Sequence, residues 1–433
     1  MSLDADTTPQ ATEAASPPAG VPAPPDSAAP EPSGALPRVE MAVFADSEAF
    51  AECAAAAERD RRLRRMRMTL HRGGIDAAVE IYRKARTPSL VVVESQDDEE
   101  RLFGELQRLS EVCLQSTRVI VVGRKNDIGL YRTLLEQGIS EYLAMPVDTP
   151  TLIQAIGRLC QRDVARPAGK VCAFFAASGG AGSSTLAHNV AWSLANDHDC
   201  DAILIDLDLA FGTAGLDFDL PATDGLAEVL RDVERLDEVL LERMVAHRGD
   251  RLSILTPSLA LAEHFEPRGS ALDRLLELCR ATAKMTILDL PHHWAPWVRH
   301  ILIDADEIAV TAAPNLAGLR NFKSIAAQLA AARPNDRAAR LLLNQVGLPK
   351  RPEIKPAEFA KAAGVEPDLA LAFDAPLFGR ASNDGRMIGE ATARSPAMRA
   401  IARFAGRLVE EESEKRDRPA AGLARLFRRR ARG

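Results

Sequence analysis

From about residue 39 onward, short apolar runs alternate with longer stretches of helical periodicity. VEMAVFA, SLVVVES, RVIVVGR and EYLAMP each carry four to six apolar residues in a row and predict strands near residues 39–45, 89–95, 118–124 and 141–146. Between them, IDAAVEIYRKA and GLYRTLLEQG show the three-to-four spacing of amphipathic helices. A second series follows a charged, Pro- and Gly-bearing stretch, Gln161 to Lys170. Its strands are predicted at KVCAFFAA, DAILIDLDLA, RLSILTP, KMTILDLP, EIAVTAAP and RLLLNQVG, and its helices include GLRNFKSIAAQLAAA and PAMRAIARFAGRLVEEE. Such alternation implies α/β architecture with mostly parallel sheets covered by helices.

The two ends have a different texture. Residues 1–38 hold nine of the chain's 27 prolines and no aromatic residue, too little apolar surface to offset the entropy of ordering. The expected organisation is a Pro/Ala-rich tail over 1–38, a smaller α/β domain over 39–162, a larger doubly wound domain over 163–412 and a basic tail over 413–433. In that last tail Leu423, Leu426 and Phe427 fall at i, i+3 and i+4 among Arg425, Arg428, Arg429, Arg430 and Arg432. A helix there would have a small apolar side and a cationic one, suited to an anionic lipid surface, although a solvated basic tail fits the same pattern.

Composition narrows the class. With 433 residues, 46% hydrophobic and 27% charged, the chain can build two cores, and its formal charge of -7 makes nucleic acid an unexpected partner. Six cysteines lack CxxC spacing, and no hydrophobic leader opens the sequence, so reduced thiols and a cytoplasmic site, membrane-proximal or polar, are expected.

The chemistry concentrates in the second series. The strand KVCAFFAA runs into Ser178-Gly179-Gly180-Ala181-Gly182-Ser183-Ser184-Thr185 and then the helical LAHNVAWSLA. Strand, glycine loop and helix together can cradle phosphate, because glycines let backbone N–H groups converge and the helix N-terminus favours an anion. A tight strand-to-helix connection is the plain alternative. Asp206 and Asp208 end one strand and Asp289 ends another, where carboxylates could meet Mg²⁺ and a water, with capping a helix or starting a turn as the plain alternative for each.

The first series resembles response-regulator receiver domains, whose fifth strand ends in Lys-Pro, but it lacks their chemistry. Glu94 stands at the phosphate-accepting aspartate, Gly123 at the switch hydroxyl and Met145 at the lysine, with only Asp46 left of the acidic pair. The resemblance therefore implies a docking or dimerising surface rather than a phosphorylation switch. The second series resembles the MinD/ParA family of deviant Walker A ATPases, and GGAGSSTLAHNVAWSLA with IDLDLAFGTAGLDFDL, joined to a receiver-like domain, looks like its CpaE/TadZ branch, which positions Flp pilus assembly machinery. By that resemblance Gly179, Gly180, Ala181, Gly182, Ser183, Ser184 and Thr185 bind the phosphates of ATP. Ser184, Asp206 and Asp289 approach Mg²⁺, Asp206 and Asp208 orient the attacking water, and Asn344 reads the adenine. A homodimer and pilus secretion proteins are the implied partners.

Two departures bear on activity. Ser178 and Ser183 replace both family lysines, so ATP binding is expected, with hydrolysis weak or lost. An active positioning ATPase of MinD or flagellar-number type, and a receiver-containing signalling regulator, are the alternative readings.

Overall fold

Thirteen strands form two sheets in the computed structural model, which describes residues 40–64, 66–161, 169–221, 226–231, 233, 236–257 and 265–416. The tail expected over 1–38 lies outside the described residues. So does the basic tail, except for its first four residues, which continue the helix Pro396–Arg416.

The first sheet contains β1 (Glu40–Ala45), β2 (Arg67–Arg72), β3 (Leu90–Glu94), β4 (Arg118–Gly123) and β5 (Glu141–Ala144), all parallel, in the order β2-β1-β3-β4-β5. This is the flavodoxin-like order. Along β1, Met41, Val43 and Ala45 enter one core while Ala42 and Phe44 enter the other, so the strand must be apolar on both sides. β2 has no such run: in RMTLHR only Met68 is buried, as befits an edge strand, and its pattern did not announce it.

The second sheet contains β6 (Lys170–Ala176), β7 (Ala202–Asp206), β8 (Ala246–Arg248), β9 (Leu252–Leu255), β10 (Met285–Asp289), β11 (Glu307–Ala312), β12 (Arg340–Val346) and β13 (Pro367–Ala372). Its order is β13-β12-β11-β6-β10-β7-β9-β8, and only the β8–β9 pair is antiparallel. β8 and β13, like β2, are edge strands that the apolar runs do not reveal. In the centre, Val171, Ala173 and Phe175 of β6 face one core, and Cys172 and Phe174 face the other. The pairing sets Asp289 of β10 level with Asp206 of β7 at the carboxyl ends of adjacent strands. Sequence order alone does not specify that adjacency.

A polar contact joins the two sheets' bodies. Arg61 donates to both carboxylate oxygens of Asp336, Nε to Oδ2 at 2.8 Å and Nη2 to Oδ1 at 3.3 Å, and Nη1 donates to the Asp304 carbonyl at 2.7 Å. Asn335 donates to Asp60 at 3.3 Å from the other side.

Candidate functional site

The loop between β6 and the helix Ser183–Asp197 wraps a cavity of about 500 Å³, a volume suited to a nucleotide-sized ligand. Gly180, Ala181, Gly182, Ser183, Ser184, Thr185, Asp208 and Asn344 line it, together with Phe373 and Phe378. Gly179 stands just outside that lining. Asp206 and Asp289 lie beneath the surface, essentially inaccessible to water.

The loop is shaped from outside. Four side-chain donors take carbonyls along residues 176–181: His292 Nδ1 at Ala176 O (2.8 Å), Asn321 Nδ2 at Ala177 O (2.7 Å), Gln345 Nε2 at Gly180 O (2.8 Å) and Asn344 Nδ2 at Ala181 O (2.9 Å). The Ala177 and Ala181 amides are spent on the Thr311 and Ser178 carbonyls, so the main-chain donors left for an anion are those of the glycines and of the first helical turn. Gly182 caps that helix at φ +88°, and a Cβ there would lie 2.4 Å from Asn344 Nδ2, so only glycine fits. Asn344, expected to read adenine, thus spends its amide donor on the loop while remaining in the cavity wall. The partners of Ala176, Ala177 and Gly180 were not anticipated. Only the topology brings β10, β11 and β12 ends to one loop.

Beneath the loop is a buried charge cluster. His188, in the second turn of the helix Ser183–Asp197, donates from Nδ1 to Asp217 Oδ2 at 2.8 Å, and its Nε2 lies 3.3 Å from Asp289 Oδ2. Burial disfavours a charged imidazole, but the carboxylates of Asp217, Asp289 and Asp206 outweigh it and push the His188 pKa up to about 10. Asp217 is half-buried, which would raise its carboxyl, yet the His188 bond holds it below its ordinary value. Its carboxylate further accepts from the Thr213 and Ser382 hydroxyls. Asp206 is pushed up by burial and by the charge on Asp289. Its oxygens accept from the Asp208 and Ala214 amides at 3.1 and 3.0 Å, and Gly212 passes so near that a Cβ would fall 2.4–2.6 Å from the carboxyl group. Residues 207–214 therefore wrap Asp206, while Asp208 turns its side chain to the Phe211 amide at the cavity side.

The donor set suits a hard cation. Asp289 Oδ1 and the Ser183 hydroxyl are buried without a hydrogen-bond partner, and Asp289 Oδ2 faces His188, so buried oxygens remain that an oxygen-seeking ion such as Mg²⁺ would satisfy. Asp206 and Asp289 each bring a carboxylate oxygen within 4.8 Å of the other and of a His188 ring nitrogen, and His188, protonated, balances the charge of these carboxylates and is no metal ligand itself. His188 and Asp217 were not foreseen, since a histidine inside AHN reads as one more helix position until Asp217 and Asp289 fold around it.

In the other sheet, Glu94 occupies the end of β3 fully buried. Its carboxylate accepts from the Asp46 and Ser47 amides at 2.7 Å each and from the Ser47 hydroxyl at 2.6 Å. Met145, after β5, packs against the core of this sheet.

A mostly parallel sheet with a glycine loop after a central strand and carboxylates at neighbouring strand ends defines a P-loop nucleotide-binding fold of the ParA and MinD kind. No family model and no curated protein matches the chain. Among solved structures, a ParA family ATPase from Chlorobium tepidum TLS shares 21% identity over 55% of this chain and 99% of its own, with a TM-score of 0.50, a likeness of fold. The pilus assembly protein CpaE from Caulobacter crescentus CB15 is 41% identical over 29% of this chain and 95% of its own, TM-score 0.28. A CpaE2 pilus assembly protein from Sinorhizobium meliloti 1021, itself described as putative, is 42% identical over 28% and 98%, TM-score 0.27. At that identity over nearly the whole of those chains, this protein belongs to the CpaE pilus assembly family.

Proposed function

We propose that the chain is a nucleotide-controlled assembly factor: it binds Mg-ATP in the loop cavity, pairs with a second copy in that state, and positions pilus secretion machinery, with little or no hydrolysis. The observation that carries this is the pinned carbonyl edge of residues 176–181. A loop held in that way would offer its glycine and first-turn amides to phosphate without the two missing lysines, and none of the described residues lining the cavity is Lys or Arg. Gly180, Gly182, Ser183, Ser184 and Thr185 would hold the phosphates, Ser184 and Asp289 the Mg²⁺, and Phe373 and Phe378 the base. Bound Mg-ATP would supply a divalent cation and the phosphate charge that these donors would hold.

Without a cation on the phosphates the transition state loses stabilisation that can be worth about a thousandfold or more in rate. Glu94 supports the non-enzymatic reading of the first domain, because its carboxylate is already committed where an acceptor aspartate would have to be free. Residues 39–162 are then a docking module, and the apolar and arginine residues of 423–432 a membrane-seeking tail.

Calorimetric titration of the full chain with Mg-ATP, beside a phosphate-release assay, tests the proposal. Saturable binding is expected, with turnover at least about a thousandfold under the enzyme median of about 10 s⁻¹. Absence of saturable binding refutes the binding role, and turnover near that median refutes the scaffold role.

A further inference from the structure

The cavity wall contains one imidazole, that of His292, three residues beyond Asp289 and directly beside the loop. Its Nδ1 sits 2.8 Å from the Ala176 carbonyl. A carbonyl oxygen can only accept, so Nδ1 carries a proton and the ring's orientation is fixed by the end of β6, which leaves Nε2 to take a second proton when an anion lies against it. The ring is also kept in place sideways. Its Cδ2 would lie 3.6 Å from a Cβ on Gly179, and its centroid is 6.0 Å from that of Phe175, which in turn takes Trp294 edge-on. Pro291 immediately before it limits the backbone. The outcome is an exposed, rigidly held side chain with one uncommitted nitrogen, Nε2, among the described residues of the wall.

We infer that His292 is the phosphate-facing side chain of this site, donating as an imidazolium from Nε2–H to a terminal phosphate oxygen of a bound nucleoside triphosphate, in a wall whose described residues offer no lysine or arginine for that task. This rests on the proposed binding of Mg-ATP and adds to it the residue that distinguishes triphosphate from diphosphate. Gly180 to Thr185 can serve the phosphates common to both nucleotides through the main chain. His292 enters from the opposite side of the loop, off the end of β10, and so gives the β10 end a direct interest in which nucleotide is present. The neighbouring Trp294 and Pro296 lead into the helix Pro296–Asp304, a route by which that contact would reach the surface.

The test is calorimetric titration of the full chain and its His292→Ala, His292→Gln and His292→Asn variants with Mg-ATP and, separately, Mg-ADP. A charge-assisted hydrogen bond predicts that His292→Ala weakens Mg-ATP about ten- to hundredfold and leaves Mg-ADP within about twofold. Glutamine places an amide nitrogen near the Nε2 position and should retain most of the preference for triphosphate. Asparagine, whose amide falls near Nδ1, should lose it. Equal losses for both nucleotides would mean that His292 only pins the Ala176 carbonyl, and unchanged Mg-ATP affinity would mean that it does neither; each overturns this inference and leaves the binding role standing. If the unmodified chain binds neither nucleotide, both fall together. Should the alanine variant misfold by circular dichroism, the glutamine and asparagine pair decides by the same comparison.

Discussion

Gly182 and His188 show how much of the site is settled one side chain at a time. Gly182 combines a left-handed backbone with an asparagine amide where its Cβ would be. Replacing it by alanine should cost about 1–3 kcal/mol in stability and abolish Mg-ATP binding, measured by thermal melting and by titration of the same sample. His188 is a different case, a buried cation between Asp217 and Asp289. Removing it as His188→Ala leaves carboxylates without their counter-charge, and the loss of one partner from a buried pair typically costs about 3–5 kcal/mol. A melting-temperature change within error would show that those carboxylates take up protons at no cost and that the pair is unimportant. The glycines and the aspartates could be picked out of the sequence because their residue types at strand ends already suggest phosphate and metal. His188, Asp217 and His292 could not, since a histidine gains meaning only from the groups that fold against it.

At the scale of single elements, the end of β3 fixes what the receiver-like sheet can do. Glu94 reaches the start of the helix Glu48–Glu58 and holds the Asp46 and Ser47 amides there, an anion at a helix N-terminus supplied from inside the protein. Glu94→Ala should therefore loosen that helix, with a loss of about 1–3 kcal/mol and faster amide exchange at residues 46–50. Incubation with acetyl phosphate should add no mass to the unmodified chain; a phosphoryl adduct in the receiver-like body would restore the signalling reading. The central strands β1, β3, β4, β6, β7 and β10 were all legible, because a strand buried on both faces must be apolar throughout. The edge strands β2, β8 and β13 were not. They bury at most one face, and their register depends on a neighbour more than on their own composition.

Across the whole molecule, the contact of Arg61 with Asp336 and the Asp304 carbonyl ties the body of the first sheet to that of the second. Arg333 and Arg62 also approach Asp336, so Arg61→Ala would leave it partly paired and should cost about 1–3 kcal/mol, seen as a separate, earlier unfolding step for the receiver-like body. Burial alone would raise the Asp336 carboxyl, but Arg61 and Arg333 together hold it below its ordinary value of 3.8. A lowered folded value means that this contribution is fully present above 3.8 and fades as pH falls through the lower folded value. Acid titration of Asp336→Asn should accordingly show less loss between pH 4 and pH 2 than the unmodified chain; identical curves would refute a role for this pair in acid stability. By itself the sequence determined the α/β class, the glycine loop and the two absent lysines, since these follow from local pattern and residue type. Only the tertiary structure decided that Asp206 lies wrapped beneath residues 207–214, that four distant side chains pin the loop's carbonyls, and that His188 and His292 belong to the site. Those facts depend on which strands become neighbours, and strand adjacency arises from burying the faces of a whole sheet, a choice that no short stretch of chain makes alone.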